Sequence, residues 1–125
     1  MLNYFAVGVG GALGAMLRFF IYNRLGTAGH ISLFALPTLV VNVIGSLCIG
    51  IAWFYLVEKA LLPPVWKNLV ITGFLGALTT FSTFSMDTLR LFQTEQYTIA
   101  LGYMAANVVL CVTGVFISYH LIKII

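Results

Sequence analysis

The chain has 125 residues, enough for one domain, and 62% of them are apolar. Only 7% are charged, whereas about 25% is usual in a soluble domain. A water-soluble surface cannot be built from so few charges, and the mean hydropathy of +1.09 indicates that lipid is the solvent. The net charge of +3 is scattered without a basic run, which argues against a nucleic-acid partner.

Four segments are long and apolar enough to cross a bilayer, whose hydrocarbon core of about 30 Å takes about 20 helical residues. The first begins without a basic n-region and is predicted to be a membrane span, not a signal peptide. The loop after it contains Gly29 and His30. We predict one all-α transmembrane domain, residues 1–125, with spans at 4–22, 34–57, 65–92 and 97–122.

The basic residues divide equally between the two sides of this predicted domain. One side carries Lys59, Lys67 and Lys123, and the other carries Arg18, Arg24 and Arg90. The positive-inside rule therefore gives no preferred orientation. Either another feature decides the orientation, or the protein inserts both ways, which permits an antiparallel homodimer.

The first span carries small residues and one arginine. Gly10 and Gly14 form a GxxxG pair, a spacing that favours close approach of another helix. Arg18 follows one turn later. Its side chain either reaches back to the membrane interface or adds positive potential at a pore mouth.

Polar residues form stripes on the second and fourth spans. Thr38, Asn42 and Ser46 repeat every four residues and so share one helix face. Asn107 and Cys111 lie one turn apart on the fourth span. The Asn42 amide brings donors and an acceptor to mid-span. It either makes hydrogen bonds between helices or lines a hydrated path, and the residues alone leave both interpretations open.

The third span has the composition of a poor continuous helix. Residues 72–85 contain two glycines and six hydroxyl residues, which weaken helices or compete for the backbone. Irregular backbone at membrane depth persists only where it is buried in protein or lines a cavity. Broken helices of this kind expose carbonyls that coordinate cations. We therefore predict a functional break in the middle of the third span.

Three stretches of the chain resemble the Fluc/CrcB family of fluoride channels, and the resemblance covers nearly the whole sequence. The stretches are GGALGAMLR at 10–18, TLVVNVIG at 38–45 and GFLGALTTFSTF at 73–84. The resemblance implies a dual-topology antiparallel homodimer with two fluoride pores, each lined by both subunits. It also implies passive export of fluoride across the plasma (inner) membrane.

The resemblance implies roles for single residues as well. It places Asn42 on the pore and makes Phe81 and Phe84 the aromatic pair that contacts fluoride. It implies that the backbone carbonyls of Gly76 and Thr79 of both subunits hold one structural sodium ion. Ring edges carry the positive end of the aromatic quadrupole, and hydroxyl and amide donors replace water around the ion. Further expected pathway residues are Ser82, Thr83, Asn107 and Arg18.

The chain departs from the usual family pattern at two positions. Ala77 stands where the family often has glycine, which matters little if only the Gly76 carbonyl is used. Cys111 stands where the family often has serine, which weakens a role for a hydroxyl there. Thr113 or Asn107 is the expected substitute.

A proton-coupled multidrug exporter is the main alternative interpretation. That function needs a carboxylate inside the membrane, yet the three acids lie at or near the span ends, and we expect Asp87 to pair with Arg90 one turn away. A non-transporting assembly subunit would explain the small residues but not the polar third span. An enzyme is not expected, because no nucleophile–base pairing or metal-ligand spacing is present.

Overall fold

The computed structural model describes residues 1–26 and 34–125, so the predicted loop containing Gly29 and His30 lies outside the described residues. Every regular element within these two ranges is helical. Four helices there are long and apolar enough to span a membrane, and we call them the first to fourth spans. This result confirms the predicted all-α class. The spans are Leu2–Leu25, Leu36–Glu58, Pro64–Gln93 and Tyr97–Ile124.

Two of the spans change their winding along their length. The second span is α-helical over Leu36–Trp53 and ends in a π-helical turn, Phe54–Glu58. The third begins at Pro64, where the missing N–H of proline is tolerated because the first turn has no partner for it. It then continues as a π-helix over Asn68–Leu75. Such windings are rare and frequently accompany functional sites.

The third span is interrupted at Thr79 and Thr80, as predicted. Both residues are extended, with φ/ψ of −81°/158° at Thr79 and −156°/121° at Thr80. The interruption separates a first half, residues 64–78, from a second half, Phe81–Gln93. The Thr80 hydroxyl accepts the backbone N–H of Thr83 at 3.2 Å, and this N-cap lets the second half begin in mid-membrane.

The first half of the third span packs against the first span, and the second span packs against the fourth. Glycines make the first of these contacts possible. A Cβ placed on Gly14 would collide with the Phe74 carbonyl, and one on Gly73 would lie 2.8 Å from the Val7 carbonyl oxygen. Gly11, on another face of the first span, has nothing within 4 Å. The predicted close packing at the GxxxG pair is therefore confirmed.

Candidate functional site

A groove of about 460 Å³ runs along the second, third and fourth spans at the level of the break. Most of the predicted site residues line this groove, although they come from three separate helices. Cys111 also faces this groove. The predicted residues that line it are Asn42, Gly76, Thr79, Phe81, Phe84 and Asn107.

The aromatic pair lies at the start of the second half of the third span. The ring centroids of Phe81 and Phe84 are 5.3 Å apart, and the planes are tilted by 53°. Phe84 is 9% exposed and packs on Tyr103 at 5.4 Å. Phe81 is 78% exposed on the open side of the groove. One ring is thus anchored in the bundle, and the other is left uncovered by the single chain.

The Asn42 amide connects the second span to the break. Its Oδ1 accepts the Thr80 N–H at 2.8 Å, and its Nδ2 donates to the Thr80 carbonyl at 3.2 Å. The same Nδ2 donates to Oδ1 of Asn107 at 3.1 Å, and Nδ2 of Asn107 donates to the Tyr103 carbonyl at 3.1 Å. The interhelical hydrogen bonding that the sequence left open is therefore present, and both amides also face the groove.

The break deprives several carbonyl groups of the donors that an unbroken helix would supply, among them those of Gly76 and Thr79. Helical i→i+4 bonding would pair the Gly76 carbonyl with the Thr80 N–H and the Thr79 carbonyl with the Thr83 N–H. The structure instead directs these N–H groups to Asn42 and to the Thr80 hydroxyl. Neutral carbonyl oxygens freed in this way suit a sodium ion. Clusters of three or more His, Cys, Asp or Glu able to hold a metal are absent from residues 1–26 and 34–125.

Three predicted pathway residues lie outside the groove. Arg18 and Thr83 line a second cavity of about 710 Å³ together with Tyr22. Ser82 is exposed, and its hydroxyl lies 3.1 Å from the Thr80 hydroxyl. The hydroxyls of Ser82 and Thr83 thus both contact the Thr80 hydroxyl, and Thr83 also lines the second cavity together with Arg18.

A buried acid cluster lies beside the site, and the sequence interpretation missed it. Asp87 is 4% exposed, and its Oδ2 accepts from the Thr38 hydroxyl at 2.5 Å and from Tyr103 at 3.3 Å. These bonds replace the expected ion pair with Arg90, because Asp87 faces the bundle whereas Arg90 is exposed. Asp87 was expected at or near a span end but is buried inside the third span. An acid inside an apolar span is a signal for such a buried partner, and it would have pointed to this cluster.

Comparison with known proteins places the chain in a family. Residues 5–119 match the family model described as "CrcB-like protein, Camphor Resistance (CrcB)". A "Fluoride-specific ion channel FluC" of Saccharophagus degradans is 42% identical over 118 residues, which cover 94% of this chain and 87% of that protein. The protein of the same name from Nitratiruptor sp. is 44% identical over 119 residues, or 95% of this chain and 91% of the relative.

The FluC protein of Proteus mirabilis is 47% identical over 111 residues and 86% of each chain. These relatives carry the names of ion channels, in agreement with the prediction that the chain is not an enzyme. Because the family match spans most of the sequence and three relatives align over most of their own length, this chain belongs to the CrcB family.

Proposed function

We propose that this chain forms a passive, fluoride-selective channel that releases fluoride across the plasma membrane and so relieves its toxicity. The observation that carries the proposal is the groove at the break in the third span, which is lined by an aromatic pair from that span and by one amide each from the second and fourth spans. The names of the relatives support fluoride as the ion.

The groove offers fluoride a positive electrostatic potential without a strong binding site. Fluoride is small and strongly hydrated, so the pore has to replace its water. The edges of the Phe81 and Phe84 rings carry the positive end of their quadrupoles. The second half of the third span begins here, and the N-terminal end of a helix dipole is positive. None of the described residues that line the groove is lysine or arginine, which lets the ion leave again, as conduction requires.

Two copies of the chain complete the proposed pore. In the single chain the extended residue Thr79 is only half-buried, and Gly76 and Phe81 on either side of the break are exposed, yet irregular backbone does not face lipid. We therefore propose an antiparallel homodimer with two pores, each lined by both subunits. The equal number of basic residues on the two sides, three lysines on one and three arginines on the other, supports dual topology.

The carbonyls of Gly76 and Thr79 from both copies would hold one sodium ion at the dimer centre. Such an ion supplies fixed positive charge between the pores. The lost helical donors at these two carbonyls support this assignment.

A vesicle assay tests the function. Purified protein is reconstituted in vesicles loaded with potassium fluoride, and an external electrode follows fluoride. We expect rapid efflux only after valinomycin opens a path for potassium, because passive movement of an anion stops when charge builds up. Efflux without valinomycin would indicate a coupled carrier. Chloride release at a comparable rate would refute the proposed selectivity.

The aromatic pair is tested by removing the rings while apolar bulk is kept. We expect Phe81→Ile or Phe84→Ile to abolish or greatly slow fluoride efflux, because isoleucine has no ring edge. Phe5→Ile is the matched control, since Phe5 is 70% exposed, close to the 78% of Phe81, but lies on the first span outside the groove. Wild-type efflux in both groove variants would show that the rings do not contact the ion.

A further inference from the structure

We infer that Asn42 is a positioning residue that acts through the backbone of Thr80, and that Asn107 in turn holds Asn42 in place. The conduction part of this inference rests on the proposed function. The structural part does not, because it concerns how the break in the third span is held open.

The geometry matches one amide to one extended residue. The N–H and the C=O of an extended residue point to the same side, which is how neighbouring strands exchange paired bonds. Thr80 is extended, and the Asn42 side chain pairs with both of these groups, at 2.8 Å and 3.2 Å. Thr80 is buried, and buried backbone groups need partners. Asn42 therefore replaces the helical neighbours that the break removes.

Both hydrogens of the Asn42 amide are already donated. A primary amide has two N–H donors, and those of Asn42 go to the Thr80 carbonyl and to Oδ1 of Asn107. Asn107 donates one hydrogen to the Tyr103 carbonyl, and no acceptor for its other hydrogen is present among residues 1–26 and 34–125. Of the two groove amides, Asn107 is thus the one with a donor left for an ion, whereas Asn42 would have to break a bond.

The bond from the Thr80 N–H to Oδ1 of Asn42 also keeps the Gly76 carbonyl free. The Thr80 N–H would be the helical donor to Gly76, and its capture by Oδ1 of Asn42 at 2.8 Å prevents that bond. Phe81 follows Thr80 directly, so the direction in which its ring enters the groove depends on the same peptide. Asn42 thereby fixes both the free carbonyl and the first aromatic ring.

NMR of the full-length protein with isotope-labelled threonine tests the inference at Thr80. In Asn42→Ala we expect the Thr80 Cα signal to leave its position for extended backbone. We also expect its amide to exchange about tenfold faster, the ratio for one lost hydrogen bond of about 1.4 kcal/mol. Ser46→Ala is the control for this readout, because Ser46 faces the groove one turn away on the same helix.

Asn42→Asp separates positioning from ion binding. The aspartate side chain keeps an oxygen acceptor for the Thr80 N–H and, in its protonated form, an O–H donor for the Thr80 carbonyl, so we expect it to restore the slow exchange that Asn42→Ala loses, although it cannot also donate to Asn107. Thr80 signals and exchange unchanged in Asn42→Ala, or equally fast exchange in the Ala and Asp variants, would overturn the inference.

Fluoride efflux measured on the same proteins keeps the two proposals apart. We expect Asn42→Ala to lose efflux together with the extended Thr80 signal. Loss of efflux with an unaltered Thr80 would make Asn42 a direct ligand and overturn positioning. Absence of efflux from the wild type would overturn the proposed function and leave the Thr80 result standing.

Discussion

Thr38 tests how strongly the buried acid cluster stabilises the bundle. Its side chain is 0% exposed, and its hydroxyl donates to Oδ2 of Asp87 at 2.5 Å. Because that bond uses the single hydroxyl hydrogen, the Tyr22 hydroxyl is the donor in the 2.6 Å bond to Thr38. Valine has nearly the same shape but no hydroxyl. Thr38→Val therefore removes one partner each from Tyr22 and Asp87, and only the 3.3 Å bond from Tyr103 remains on the acid.

Leaving a buried polar group unpaired costs about 1–3 kcal/mol, while interhelical hydrogen bonds in membranes average about 0.6 kcal/mol. Two hydrogen bonds are lost, but Asp87 keeps the bond from Tyr103 and Tyr22 is only half-buried, so we expect the free energy of unfolding to fall by about 1 kcal/mol. The measurement is unfolding of purified protein in a detergent titration, followed by tryptophan fluorescence. Thr113→Val is the control, because Thr113 is exposed on the fourth span, and it should stay within about 0.5 kcal/mol of wild type.

A double-mutant cycle with Asp87→Asn identifies the source of the loss. Thr38→Val should lower the free energy of unfolding less in the Asp87→Asn background than in the wild type. The coupling energy should be at least about 0.5 kcal/mol, as is found for residues in contact. A loss below about 0.5 kcal/mol for Thr38→Val alone would refute the reasoning, because surface substitutions reach that size without any buried partner.

Two further predictions concern packing and access. Gly14→Ala should lower the free energy of unfolding by about 1–3 kcal/mol, because the added Cβ would meet the Phe74 carbonyl. Gly11→Ala is the control and should not lower it, because a Cβ at Gly11 has nothing within 4 Å. Equal effects of the two variants in the same detergent titration would contradict the packing. A thiol reagent should slow fluoride efflux by modifying Cys111, which faces the groove. The reagent should slow efflux from the Cys48→Ala variant, which keeps only Cys111, and should not slow efflux from Cys111→Ala. Unchanged efflux from both variants would show that Cys111 does not lie on the pathway.

The sequence predicted the features that depend on local composition. The four spans follow from length and hydropathy, and the break follows from glycine and hydroxyl residues crowded into one segment. The match of Gly10 and Gly14 to a neighbouring backbone follows from their spacing. Each of these properties is decided within a few turns of helix, so no knowledge of the partner helix was needed.

Partners that lie far apart along the chain could not be predicted in the same way. The sequence showed Asn42 on a polar stripe, but its pairing with Thr80 depends on how the second and third spans meet. Asp87 was assigned to Arg90 because they are neighbours along one helix. The bundle offers buried Asp87 two hydroxyl donors, whereas Arg90 is exposed on the surface of the same helix.

The two halves of the third span are carried by different neighbours, because the first half rests on the first span and the second half on the fourth. A tilt of the fourth span would reach the second half through the contact of Phe84 with Tyr103, and it would reach the break through the bond between Asn107 and Asn42. The aromatic rings and the Gly76 carbonyl are thus mechanically coupled, so a substitution that displaces the fourth span should move both.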